Sequence, residues 1–183
     1  MKKSLSAKPW IALLLAVALA APLAAFARPA QQQDFLTQNE ADQIRNADSA
    51  DARIGLFLDF AADRLQRFEH ELQIKSTGPL RADFLNDLLD SFSACVDEAS
   101  SRVDDAVNNG VDVRKGIRDI RKRVPRFLAE LKKIKAKGTE LKIYQDSLDD
   151  AAADLHDDLR DAKKAEKKLQ FNSPAPKPGP ESD

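Results

Sequence analysis

The sequence predicts an all-α chain: an antiparallel four-helix up-down bundle, preceded by a short helix and followed by a disordered C-terminal tail. Three observations lead there. Apolar residues recur alternately four and three apart over stretches of about 25 to 30 residues, the spacing that lines one face of a helix and packs it against another. Short Gly, Pro and Asn breaks separate these stretches. No segment alternates with the period of two that a strand requires.

The first residues have the three-part order of an export signal. Lys2, Lys3 and Lys8 precede an apolar run from Trp10 to Ala21, and Ala25, Phe26 and Ala27 supply a small-x-small cleavage site. Residues 1–27 are therefore expected to be a cleavable signal peptide, with the rest in the periplasm or outside the cell. The apolar run is too short for a spanning helix of about 20 residues. Loss of three lysines leaves 26 Lys and Arg against 30 acids, a net charge of −4 that selects no partner. Cys95 is the only cysteine, so an oxidising compartment offers it no intrachain disulfide; its place in an apolar row predicts a small buried hydrophobe.

Residues 28–36, rich in Pro, Ala and Gln, form a flexible N-terminus, and the bundle domain is expected over 37–170. Thr37 with Glu40 three residues on reads as a capping box opening a short helix to about Ala47, with Ile44 on its inner side. Leu36 and Thr37 also begin a Leu-Thr-x-x-Glu string similar to the Leu-Thr-x-x-Gln motif of small periplasmic stress chaperones. The final residue differs and no function follows from it.

Asp48 or Ser49 can cap the first long helix, about 49 to 74, whose seam is Ile54, Leu58, Ala61, Leu65, Phe68 and Leu72. Leu56 and Phe60 point away from that seam, and the preceding helix, folded back with Leu36 and Ile44, is the nearest cover. Gly78 and Pro79 break the chain before a second long helix, about 80 to 107. It offers Phe84, Leu85, Leu88, Leu89, Phe92, Cys95, Ala99, Val103 and Ala106. Asn109 and Gly110 form the next turn.

The third long helix, 112–137, carries Val113, Ile117, Ile120, Val124, Phe127, Leu131 and Ile134 on one face, and eleven Lys and Arg against three acids. Its neighbours in sequence are acidic, with seven acids against two bases over 80–109 and nine against six over 139–169. Opposite charge predicts that the basic helix packs between those two. Pro125 removes a helical hydrogen bond, so a kink near Arg121 or two shorter helices are expected, and Gly116 should weaken the helix by about 1 kcal/mol relative to Ala. Gly138 closes it. Thr139 is then placed to cap the last helix, with the row Leu141, Tyr144, Leu148, Ala152, Leu155, Leu159, Ala162 and Leu169. Beyond Phe171, Pro174, Pro176, Pro178 and Pro180 give a Pro-rich tail, 171–183, expected to be disordered.

Chemistry is sparse. A di-iron bundle site needs Glu-x-x-His on two helices, and His70 and His156 have Arg67 and Ala153 in the Glu position. Ile74 stands where a zinc protease would need its second histidine, and no haem motif, phosphate-binding glycine loop or nucleophile elbow is present. His156 lies among Asp149, Asp150, Asp154, Asp157, Asp158 and Asp161, which are expected to spread round the helix as a solvated face instead of converging. No catalytic, metal or cofactor site is assigned, and a non-enzymatic role is expected.

The feature with a binding reading is the basic helix. On a helical wheel Arg114, Lys115, Arg118, Lys122, Arg126, Lys132 and Lys133 lie opposite the apolar row. Such a stripe suits an anionic polymer or an anionic membrane surface. DNA is not an expected partner, since few aromatics are available to stack on bases and export separates the chain from it. The expected function is an envelope scaffold or adaptor acting through protein contacts, with polyanion or membrane-surface binding through 112–137 as the alternative and an enzyme with an unrecognised site as a further one.

Overall fold

The computed structural model describes residues 35–74 and 78–172, so the expected signal peptide and most of both terminal segments lie outside the described residues. Five α-helices follow one another: α1, Gln38–Asn46; α2, Ala50–Gln73; α3, Arg81–Asn108; α4, Arg114–Lys137; and α5, Gln145–Asn172. No strand occurs among the described residues, and none of these helices is long and apolar enough to cross a membrane.

The N-terminal starts follow from side chains that compete for free backbone N–H groups. Thr37 and Glu40 form the expected capping box, each satisfying the other's backbone, and Ser49 caps α2 by accepting from the Ala52 N–H. At the far end of α4, Gly138 adopts a left-handed φ of +66° that a Cβ would oppose.

The seam residues of α2 to α5 meet in one core. Ile54, Leu58, Leu85, Leu89, Phe92, Ile120, Val124 and Leu155 are fully buried there. Two edge-to-face aromatic pairs cross it: Phe68 of α2 on Tyr144, centroids 5.0 Å apart, and Phe92 of α3 on Phe127 of α4 at 5.4 Å. Each such pair adds about 0.5–1.5 kcal/mol to the burial of its rings.

α1 is tied to the face of α2 that carries Phe60 and Arg64. Arg64, itself buried, holds the short helix down through both Glu40 carboxylate oxygens and the Phe35 carbonyl, and its guanidinium lies 5.9 Å above the Phe60 ring. Phe35, Leu36, Ile44 and Leu56 pack partly buried against the core around it.

Four expectations need correction. Of the two outcomes expected at Pro125, division into two shorter helices does not occur: α4 is continuous, because the seam on both sides of the proline is buried and the proline itself is exposed. Thr139 does not cap the last helix. Glu140 takes a left-handed φ of 51°, a 3-10 turn over Leu141–Ile143 follows, and α5 starts only at Gln145. The cause is Tyr144, drawn into the core with its hydroxyl donating to the Thr139 carbonyl at 2.6 Å.

Phe84, assigned to the α3 seam, is 48 % exposed, since the seam turns inward only from Leu85. The charge argument is half right. α4 packs chiefly on acidic α5 and on α2 and meets α3 less, across the core where Phe92 packs on Phe127, while the two acidic helices α3 and α5 lie against each other. Apolar burial chose the neighbours, and about 1 kcal/mol or less per exposed ion pair could not overrule it.

Candidate functional site

Two charged surfaces result from this packing. The first is the outer ridge of α4. Arg114, Lys115, Arg118, Lys122, Arg126, Lys132 and Lys133 are all exposed on that helix. Arg114 is held by Asp112 at 2.5 Å and Lys133 by Glu130 at 2.8 Å. Lys115, Arg118, Lys122, Arg126 and Lys132 form no ion pair among the described residues. At 1.5 Å per residue the ridge from Lys115 to Lys133 is about 27 Å long.

The bases that bind neighbouring helices are different ones. Arg123 reaches α2 through Asp59 at 2.7 Å and the Leu58 carbonyl at 2.8 Å, while Arg121 and Lys135 meet Glu166 and Asp149 of α5. Interhelical registration and the outward ridge thus use separate side chains of one helix.

The second surface is a groove of about 690 Å³ between α3 and α5. Its walls are small (Ser93 and Ala94 on α3, Ser147 and Ala151 on α5), which leaves the space open. Asp90 and Asp97 of α3 line it together with Asp150, Asp154, Asp157, Asp158 and Asp161 of α5. The expectation that the α5 aspartates spread round their helix is therefore corrected: five of the six converge on this groove. Asp149 instead turns to the α4 side, where it shares a separate cleft with His156 and Lys135. The carboxylates are strung along the groove, and no group of three or more His, Cys, Asp or Glu among the described residues is placed to hold a metal ion.

Asp158 is the residue that the sequence reading failed to single out. The buried positions Tyr144, Leu148, Ala151, Leu155, Asp158, Ala162 and Ala165 step by four and three, so Asp158 occupies a seam position of α5. A carboxylate in the heptad seam was the available signal. The residue is only 5 % exposed, and the buried Ser100 hydroxyl across on α3 is the hydrogen-bond donor beside its carboxylate.

Burial pushes the Asp158 carboxyl up to about 7; the Ser100 hydroxyl beside it offsets part of that, while Asp97, Asp154 and Asp161 add to it. Asp154 is raised as well, by burial first and then by Asp150, Asp97 and Asp157. Nearby cations do little to relieve the groove: Arg160 holds Asp157 at 2.9 Å and Lys164 holds Asp161 at 2.5 Å, both at its rim.

Cys95 lies fully buried in the seam of α3, where burial pushes its thiol up to about 12 against the lowering influence of Arg64. That environment suppresses the thiolate. His70 is exposed on α2.

Fold and surfaces together define a helical bundle with two oppositely charged faces. The chain matches no known family model, and no curated protein and no solved structure is similar to it.

Proposed function

We propose that the chain is an exported, non-enzymatic helical bundle that works by contact, as an envelope scaffold or adaptor, with its four long helices in antiparallel up-down order. Removal of residues 1–27 would release it to the periplasm or beyond. The order is supported by register: Gly116 to Asp51 and Arg123 to Leu58 share one offset of 65 residues between α4 and α2.

The observation that carries the contact role is an apolar end. Leu80 is 71 % exposed, and Ile74, Phe84 and Ile143 are also open to solvent. These side chains are held at one end of the bundle. Arg81 bonds Glu140 at 2.6 Å and the Glu71 carbonyl at 2.9 Å, and Asn86 donates to the Ile143 carbonyl at 3.0 Å. Large apolar side chains gathered on fixed backbone favour a protein partner with a complementary apolar surface. A photo-crosslinking residue at Phe84, used in cells, should give a discrete adduct in the envelope fraction that the same residue at exposed Asp105 does not. Absence of any Phe84-specific adduct refutes the scaffold reading.

The second reading, a polyanion or anionic-membrane binder, is favoured by five cations of the α4 ridge (Lys115, Arg118, Lys122, Arg126 and Lys132) that form no ion pair among the described residues. It predicts retention on heparin or phosphatidylglycerol vesicles at low salt, falling steeply as salt rises and lost in the R118A/K122A/R126A triple variant. The two supports separate a polymer ligand from a lipid surface. No retention at low salt eliminates both.

A further inference from the structure

We propose that the α4 ridge and the C-terminal third of α5 form one basic face that docks on an anionic lipid surface, with Phe171 entering the lipid. The inference rests on the anion-binding reading above and names its ligand. Two contacts place the helices. Arg121 meets Glu166, and a cleft brings Arg118 of α4 against Leu169 and Gln170 of α5, so the end of α5 lies beside the first half of α4.

Residues three and four apart share a face of a helix. Arg118 therefore shares one with Arg121 and Lys122, and Lys163 shares one with Glu166 and Lys167. The ion pair that joins the two helices neutralises itself among four exposed cations, Arg118, Lys122, Lys163 and Lys167, none of which forms an ion pair among the described residues. Packed helices lie roughly 8–10 Å apart, so the positive charge extends in two directions, along α4 and across to α5. A linear polymer engages one row of charges, whereas a layer of anionic headgroups engages both rows at once.

Phe171 separates a lipid from other anions. It follows Lys167 by one turn of α5 and is 89 % exposed, more open than any other large apolar side chain among the described residues. A sulfate or phosphate polymer offers that ring nothing to bury against. The headgroup boundary of a bilayer receives both parts, the ammonium groups at the headgroups and the ring beneath them. Charge is also divided across α5: Asp150, Asp154 and Asp158 line the groove on its α3 side, which leaves the side toward α4 basic and orients the chain as it approaches an anionic surface.

The test is flotation of the full chain with vesicles of phosphatidylglycerol and, separately, of phosphatidylcholine, beside retention on heparin. The apolar run over 10–21 is common to every variant, so the readout is the salt-sensitive excess of binding to phosphatidylglycerol. K163S/K167S should lower that partitioning about thirtyfold, the product of two cations near an anionic surface. F171S should lower it about tenfold and leave heparin retention unchanged, a split that a merely structural role for Phe171 would not produce. K142S, which changes an exposed lysine outside this face, should alter neither. All these positions are exposed, so each variant should keep the wild-type circular dichroism spectrum. Retention on heparin with no excess for phosphatidylglycerol overturns the inference and leaves the anion-binding reading standing. Excess binding that survives either K163S/K167S or F171S also overturns it. No retention on any support at low salt overturns the reading and the inference together.

Discussion

Arg64 of α2 grips Glu40 of α1 through both carboxylate oxygens, one of them at 2.7 Å from Nη2, inside a pocket where the side chains are 8 % and 12 % exposed. This forked pair is what fastens a nine-residue helix, too short to stand alone, onto α2. Its hydrogen bonds with Arg64, chiefly, hold the Glu40 carboxyl down at about 2, with Thr37 contributing. Replacing Glu40 by Ala leaves a buried guanidinium without its anion, at a cost of about 3 kcal/mol. Faster hydrogen exchange over residues 38–46, with α3 unchanged, is the expected readout. Unchanged protection of α1 would show that the pair does not hold it.

The same pair sets a pH dependence. Glu40 has a folded pKa below its ordinary value of 4.5, so its stabilisation is complete above about 4.5 and disappears as pH falls toward 2. Asp158 behaves oppositely. Its folded pKa lies above the ordinary 3.8, so the folded state binds the proton more tightly, and stability falls as pH rises from about 4 to about 7 before levelling. Asp158→Asn removes that slope and should stabilise the protein at pH 8 by on the order of 2 kcal/mol, measured by urea denaturation across pH. A variant no more stable at pH 8 than wild type would mean that Asp158 is solvated in solution.

Gly116→Ala tests backbone proximity. The Gly116 N–H donates to Asp51 Oδ1 at 2.6 Å, and a Cβ there would lie 2.6 Å from Ile54 Cδ1 and 3.1 Å from that same oxygen. Ile54 is fully buried and has little room to yield. Overpacking of about 1–3 kcal/mol should outweigh the roughly 1 kcal/mol that Ala gains in helix propensity. A net loss of about 1 kcal/mol in chemical denaturation is expected, the reverse of what an exposed helix interior would give.

Cys95 should be inert while the protein is folded. With the thiol buried and pushed up to about 12, an alkylating reagent at pH 8 is expected to label it only in denaturant, at the rate of unfolding or local opening. Rapid native labelling would place it at an opening the seam does not have. Cys95→Ala should cost about 1 kcal/mol by loss of packing.

Local rules carried far along this chain. Capping at Thr37 and Ser49, the left-handed Gly138 and the seams of α2 to α4 all follow from interactions within a few residues, which a sequence displays directly. The need for a cover over Leu56 and Phe60 was visible too, though Arg64 as the clamp was not, because its partner lies 24 residues away. Asp158 was hidden by a reading that sorted residues into apolar rows and polar faces, and so passed over a polar residue in the apolar row.

Helical character, the seams of α2 to α4 and most helix ends were decided by the sequence alone, because hydrogen bonding within a helix and its amphipathic period are local; in α5 the seam runs through Ala151 and Asp158 and not the expected Ala152 and Leu159. Which helices became neighbours was decided only in the tertiary structure. The burial of apolar seams outweighs the attraction of exposed charges, so α4 settled beside α5 and α2 and the acidic α3 and α5 were pressed together. From that packing came the carboxylate groove and the left-handed entry into α5, where burying Tyr144 overrode the local preference for a cap at Thr139.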